Sequence, residues 1–239
     1  MSGGGSDGAP RLRVFPDAEA VAHYAADAIA GRIGDARRDG RDLHIALAGG
    51  STPKRAYELL GDIEGSWSHV HLWLGDERCV PEDHPESNAR MVRESLYANA
   101  RAEPPQLHTV PSPEVPEDAA WLYGLEIGER VPDGVFDVVL LGMGPDGHTC
   151  SLFAGHPVLD VAHALVAPVR DSPKPPPERV TLTLPVVRAG RFTLLLATGE
   201  EKRDALSRAL AGDETIPLAL LGDGLDEVAC DAAAAPDEG

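Results

Sequence analysis

Val135-Phe136-Asp137-Val138-Val139-Leu140-Leu141 runs directly into Gly142-Met143-Gly144-Pro145-Asp146-Gly147-His148. An apolar run this short, closed by Gly and Pro, reads as a buried strand that ends in a polar loop. The same pattern recurs twice upstream. Leu43-His44-Ile45-Ala46-Leu47-Ala48 leads into Gly49-Gly50-Ser51-Thr52-Pro53, and Val70-His71-Leu72-Trp73-Leu74 leads into Gly75-Asp76-Glu77-Arg78. In open α/β sheets, ligands bind beyond the carboxyl ends of the strands. The three loops are therefore expected to converge on one site.

Between these strands the pattern is helical. Val21, Ala25, Ala28, Ile29 and Ile33 recur at helical spacing behind Asp17, a capping residue, and predict a helix over 17–38. Further helices are predicted over 53–60, from Ser87 to about Tyr97, over 116–130 and over 200–210. Further strands are predicted over 107–110, 164–169, 180–184 and 191–197. Residues 75–86 read as a polar loop. Strands alternating with helices give an α/β class with a mostly parallel, doubly wound sheet. The expected organisation is one domain over 11–230, with floppy tails at 1–10 and 231–239.

Composition excludes several function classes. The 239 residues carry 39 acidic and 21 basic side chains, a formal charge of −18, which repels nucleic acid and anionic lipid. No run of about 18 apolar residues spans a membrane, and 1–10 lacks the apolar core of a secretory signal. Three widely spaced cysteines, Cys79, Cys150 and Cys230, with no CxxC pair, fit a reducing cytoplasm better than a disulfide framework or a zinc knuckle. An anionic ligand would need a locally built site, so the three lysines, Lys54, Lys174 and Lys202, are informative.

Each loop has a chemical reading and a bland one. Gly49-Gly50-Ser51-Thr52 can turn backbone N–H groups and two hydroxyls onto an anion at a helix start, or can simply cap the helix. It is neither a Walker loop nor a nucleophile elbow, since GxxxxGK[ST] is absent and Pro53 stands where GxSxG needs Gly. Asp76-Glu77-Arg78 is either a solvated charge cluster or a set in which Arg78 binds a carbonyl or phosphate oxygen and Asp76 orients it or a substrate hydroxyl. Residues 142–147 formally match GxGxxG, but no crossover helix follows, which weakens a dinucleotide reading. The other use of that loop is to present Asp146 and His148, a pair suited to taking a proton from water. His23 and His108 read as ordinary exposed histidines. Lys202, a cation at a helix start, opposes the helix dipole and so suggests function. Lys174, within Ser172-Pro173-Lys174-Pro175-Pro176-Pro177, reads as part of a stiff exposed linker, a reading that fits Arg179 less well.

Taken together, Ala48-Gly49-Gly50-Ser51-Thr52-Pro53, the run from Gly75 to Pro81 with Ser87-Asn88, residues 142–153 and residues 199–202 resemble the 6-phosphogluconolactonases and, more distantly, the glucosamine-6-phosphate deaminases. The resemblance spans about 14–229. It implies a three-layer sandwich of the NagB/RpiA/CoA transferase-like kind, no metal and no organic cofactor, and hydrolysis of 6-phospho-D-glucono-1,5-lactone. By position, His148 resembles the water-activating residue, and Asp146, Asp76 and Arg78 its polar support. Gly49, Gly50, Ser51, Thr52 and Lys202 resemble the phosphate cradle, with Arg179 nearby. The implied partner is a small sugar-phosphate lactone, without nucleic acid or membrane, for a monomer or weak homodimer. The family's usual run after His-Thr is Ala-Ser-Leu-Phe-Pro, where this chain has Cys150-Ser151-Leu152-Phe153-Ala154. The deaminases carry Phe-Asn-Glu-Pro after the His, and no such Glu lies between His148 and Pro157. The rival expectations are a hexosamine-6-phosphate deaminase or isomerase, and a non-catalytic sugar-phosphate binder on the same fold.

Overall fold

A computed structural model describes residues 8–63, 65–98, 100, 104–111 and 115–237. Seven strands form one sheet: β1 (Arg11–Phe15), β2 (Leu43–Leu47), β3 (Val70–Leu74), β5 (Gln106–His108), β6 (Val138–Gly142), β9 (Thr193–Ala197) and β10 (Glu227–Asp231). Their order is β1-β10-β9-β6-β2-β3-β5, and every neighbouring pair is parallel. A second sheet, β4 (Asp76–Arg78), β8 (Arg179–Leu182) and β7 (Val166–Val169), is antiparallel.

Parallel strands buried on both faces need apolar side chains at every position, and alternation sends successive ones to opposite layers. Leu194 and Leu196 pack with Ile45 and Leu140 beneath α1 (Ala18–Asp39), α2 (Ser51–Ile63) and α3 (Asn88–Val92). Leu195 and Ala197 pack with Ala46 and Leu141 against α4 (Pro116–Arg130), α6 (Arg203–Leu210) and the small sheet. Each fully buried Leu or Ile in these layers stabilises the fold by about 1.5–3 kcal/mol relative to exposure. α1 begins as expected, with Asp17 accepting from the Ala20 N–H at 2.9 Å. It ends at Gly40 in the left-handed region, φ 64°, where glycine has no Cβ to clash. Ser87 caps α3 by accepting from the Arg90 N–H, and a π-helical turn over Arg93–Tyr97 continues it.

The structure differs from the sequence reading in four places. β1 is the edge strand, where Leu12 and Val14 stay exposed, and β10 beside it is buried but opens and closes on acidic residues, Glu227 and Asp231, so neither strand reads as a full apolar run. The expected polar loop 75–86 opens with β4, which pairs with β8 about 100 residues later. After β8, Pro185 starts a short helix, α5 (Leu184–Arg188). Finally, the boundary expected at 231 fails. Asp231 closes β10, and its carboxylate accepts the Gly199 N–H at 3.1 Å and the Ala234 N–H at 2.8 Å. Ala234 lies in the core. Of the expected tails, residues 1–7 and 238–239 lie outside the described residues. No helix of the described residues is long and apolar enough to cross a membrane.

Candidate active site

From β2 the chain builds outward through β3 to β5. It then returns to β6 on the other side of β2 and continues outward through β9. The loops after β2 and β6 therefore leave adjacent strands in opposite directions, which opens a crevice between them. The two loops touch closely, since a Cβ on Gly142 would lie 3.3 Å from the Gly49 carbonyl oxygen.

The loop after β6 turns back on itself. Gly144 N–H donates to the His148 carbonyl at 2.9 Å, and Gly147 N–H donates to the Gly144 carbonyl at 2.9 Å. No helix follows, which removes the dinucleotide reading of GxGxxG. Instead the glycines make room. A Cβ on Gly144 would overlap the His148 ring and the Asp146 carboxylate. His148 Nδ1 lies 2.6 Å from Asp146 Oδ1. Burial works to raise the Asp146 carboxyl, but hydrogen bonds from His148 and Lys174 overcome it and hold it at about 2. An ionised carboxylate only accepts, so Nδ1 carries the ring proton and Nε2 keeps its lone pair. Burial pushes His148 below the ordinary histidine value, against the opposing pull of Asp146.

Asp76 and Arg78 reach the same place from β4. Both line a cavity of about 180 Å³ with Gly49, Gly50, Gly144 and His148. Asp76 is buried and accepts from Ser151 Oγ at 2.7 Å and from Asn88 Nδ2 at 3.3 Å. Arg78 Nη1 donates to the Glu86 carbonyl, and its buried Nε has no partner among the described residues. A second cavity, about 150 Å³, holds Ser51, Thr52, Thr198 and Lys202, and shares Gly49, Gly50, Gly142 and Met143 with the first. Gly50 has φ 111°, a conformation open to glycine that bares the backbone of the shared wall. Thr52 and Thr198 join their hydroxyls at 2.7 Å. The Asp231 carboxylate holds the Gly199 turn that leads to Lys202.

Three residues are not where the sequence suggested. Arg179 lines the His148 cavity, not the Lys202 one. It is 3% exposed, and its guanidinium donates to the carbonyls of Lys174, Pro175 and Pro176. Lys174 is no free linker side chain, because its Nζ lies 3.0 Å from Asp146 Oδ1. His108 is buried, stacked on Trp73 at 3.8 Å and bonded to Glu126 at 2.6 Å. Asn88 was noted only within a motif. It holds Asp76 and presses its side chain against Gly49, where a Cβ would collide with it. The Lys174, His108 and Asn88 contacts join residues 12 or more apart in sequence. Among the described residues no group of three or more His, Cys, Asp or Glu is placed to hold a metal.

The family described as glucosamine-6-phosphate isomerases/6-phosphogluconolactonase matches residues 16–229. The chain belongs to this family. It is 38% identical over 221 residues to a 6-phosphogluconolactonase of Streptomyces coelicolor, covering 85% of this chain and 84% of that one. It is 44% identical over 185 residues to the Homo sapiens 6-phosphogluconolactonase, covering 73% and 70%. The crystal structure of 6-phosphogluconolactonase from Thermotoga maritima superposes with a TM-score of 0.82 at 29% identity, covering 93% of this chain and 99% of that one. The matched span takes in both cavities of this family member and all of its parallel sheet except β1 and the last two residues of β10.

Proposed function

We propose that this chain hydrolyses 6-phospho-D-glucono-1,5-lactone to 6-phospho-D-gluconate, the lactonase step of the oxidative pentose phosphate pathway. The observation that carries the reading is His148, its Nδ1 2.6 Å from the Asp146 carboxylate and its proton affinity lowered by burial, in a cavity that shares a wall with a lysine-bearing one. Two joined cavities suit a ring at one end and a phosphate at the other. The names of the relatives point to the same substrate.

In this reading His148 Nε2 takes a proton from water as the water oxygen bonds to the lactone carbonyl carbon. The charge that develops on the carbonyl oxygen is met by Arg78 and by backbone N–H groups of the glycine loops. The ring C–O bond then breaks, and the proton passes from Nε2 to the departing ring oxygen. Ser51, Thr52, the Gly49-Gly50 backbone and Lys202 hold the 6-phosphate, and that binding energy orients the carbonyl. Arg179 supports the first cavity from below.

Thr149 to His156 contains no Asp or Glu, so the additional acid/base group that amine loss needs is missing beside His148. Net charge −18 opposes self-association and fits a monomer or weak homodimer. We place the enzyme in the cytoplasm, as one unit from residue 11 onward. The test is lactone hydrolysis measured above the spontaneous rate. The native chain should accelerate it, and His148→Ala should lower kcat by roughly 10²–10⁴ with little change in KM. Lys202→Ala should raise KM instead. Ammonia release from a hexosamine 6-phosphate without lactone turnover would overturn the assignment.

A further inference from the structure

The segment Ser172-Pro173-Lys174-Pro175-Pro176-Pro177 belongs to no helix or strand, and the lactonase reading does not use it. Its backbone is nonetheless pinned along its length. Ser172 N–H donates to the Pro177 carbonyl at 3.0 Å. Ser172 Oγ donates to the Lys174 carbonyl at 2.9 Å and accepts the Lys174 N–H at 3.2 Å. From below, Arg179 Nε donates to the Pro176 carbonyl at 3.0 Å, and Nη2 donates to those of Lys174 at 3.0 Å and Pro175 at 3.2 Å. Four prolines remove most of the remaining freedom. The product is a rigid arm with one long polar side chain, and that side chain ends in the active site.

Lys174 Nζ lies 3.0 Å from Asp146 Oδ1 and 3.4 Å from His148 Nδ1. Nδ1 already donates its proton to that same Asp146 oxygen, so the ammonium has no acceptor on the ring. It meets His148 as a neighbouring charge and shares its carboxylate. We propose that Lys174 acts on the reaction through Asp146. Its ammonium takes part of the carboxylate that holds His148, so Asp146 orients the imidazole without drawing a second proton onto it.

The charges around His148 divide evenly enough for one ammonium to matter. Asp146 on its own loop and Asp76 on β4 favour the imidazolium. Lys174 opposes it from the arm, and Arg78 on β4 and Arg179 on β8 are further cations in the same cavity wall. A buried Asp–His pair without such a counter-charge holds a proton tightly. A base of that kind is already filled at neutral pH, and once filled it releases its proton slowly. The ammonium lowers both costs. His148 stays neutral to receive the proton from water, and the imidazolium formed during attack passes it on to the ring oxygen. Arg179 has a role here as well, because it fixes the carbonyls from which Lys174 projects.

The inference rests on the lactonase reading, and its test separates the two. In the full chain without substrate, the His148 ring is titrated by NMR in the native protein, Lys174→Met and Lys174→Arg. In parallel, kcat/KM for the lactone is measured against pH. Lys174→Met should move the His148 midpoint and the acid limb of kcat/KM upward together, by about one pH unit. Lys174→Arg, which keeps the charge, should restore both. The Lys174 side chain is partly exposed, so both variants should keep the native fold, and thermal unfolding checks this. An unmoved His148 midpoint in Lys174→Met overturns the proposal, as does an equal shift in Lys174→Arg. If the native chain turns over no lactone, the lactonase reading fails, and the NMR comparison still decides what Lys174 does to His148.

Discussion

His148 has two opposing influences on its proton, and the balance sets where the enzyme works. Burial lowers its affinity for a proton, and Asp146 raises it. The net direction is downward, so the neutral base persists below the ordinary histidine range. As pH falls, activity should therefore hold through about 6.5 and be lost only below it, when the ring protonates. The acid limb of kcat/KM, which reports the free enzyme, measures this directly. Asp146→Asn removes the one hydrogen-bonded influence that favours the imidazolium, so its acid limb should lie lower still. Its plateau should drop by more than about tenfold, because the ring loses its fixed tautomer. An acid limb above pH 7 in the native enzyme would contradict the assignment of a buried neutral base. At this scale much of the site was legible. Asp146, His148, Asp76 and Arg78 each follow a strand end closely, and strand ends can be found from apolar runs. Lys174 was not legible, because its partners lie 28 and 26 residues away and four prolines look the same in a spacer as in a rigid arm.

β4 shows how a three-residue strand can carry more of the site than its length suggests. Glu77 points away from the cavity and is 5% exposed. Its Oε1 accepts from the backbone N–H groups of Arg78 and Asn88, both at 2.8 Å, and its Oε2 accepts from Ala89 N–H at 2.8 Å and Ser87 Oγ at 3.1 Å. One carboxylate thus joins β4 to the first turn of α3, where an anion also meets the positive end of the helix. Asn88, held this way, in turn holds Asp76 and packs on Gly49. Glu77→Gln keeps the size but replaces one acceptor oxygen with an NH₂ group, which leaves two buried donors without a partner. That should cost about 2 kcal/mol of stability by denaturant unfolding. It should also lower kcat/KM, since Asp76 and the Gly49 wall both move. A variant as stable as the native chain would mean that the Glu77 cluster is not what ties β4 to α3. The sequence marked residues 76–78 as polar and therefore as loop. A strand that lies under an active site can be polar because its inner face is lined with ligands and caps, and its pairing partner β8 is distant in the chain. The same limit hid β1 and β10, whose pairing joins the two ends of the fold. β2, β3, β6 and β9 were readable because their runs are mostly apolar, whereas β10, equally buried, has acidic residues at both ends.

Across the whole molecule, the acidic balance and an anionic substrate pull against each other. The site itself sets Arg78, Arg179, Lys174 and Lys202 against Asp76, Asp146 and Glu201, one more positive charge than negative while His148 is neutral. The rest of the chain is acidic enough to bring the whole to −18. Short-range contacts therefore favour the phosphate, and the long-range field repels it. The two differ in their response to salt. The screening length is about 30 Å at 0.01 M and about 8 Å at 0.15 M ionic strength, so added salt cancels the distant repulsion first. The contacts proposed for the phosphate, to Lys202, Ser51 and the glycine backbone, act at hydrogen-bond range and would be cancelled much less. KM for the lactone should accordingly fall as an inert monovalent salt rises from about 10 to 150 mM, while kcat, which is set inside the cavity, stays level. In Lys202→Ala the short-range attraction is weakened and the long-range repulsion remains, so the same salt series should lower KM by a larger factor. A KM that climbs from the lowest salt onward in the native enzyme would mean that the local cations govern approach as well as binding, and that the acidic surface lies too far from the mouth to be felt there.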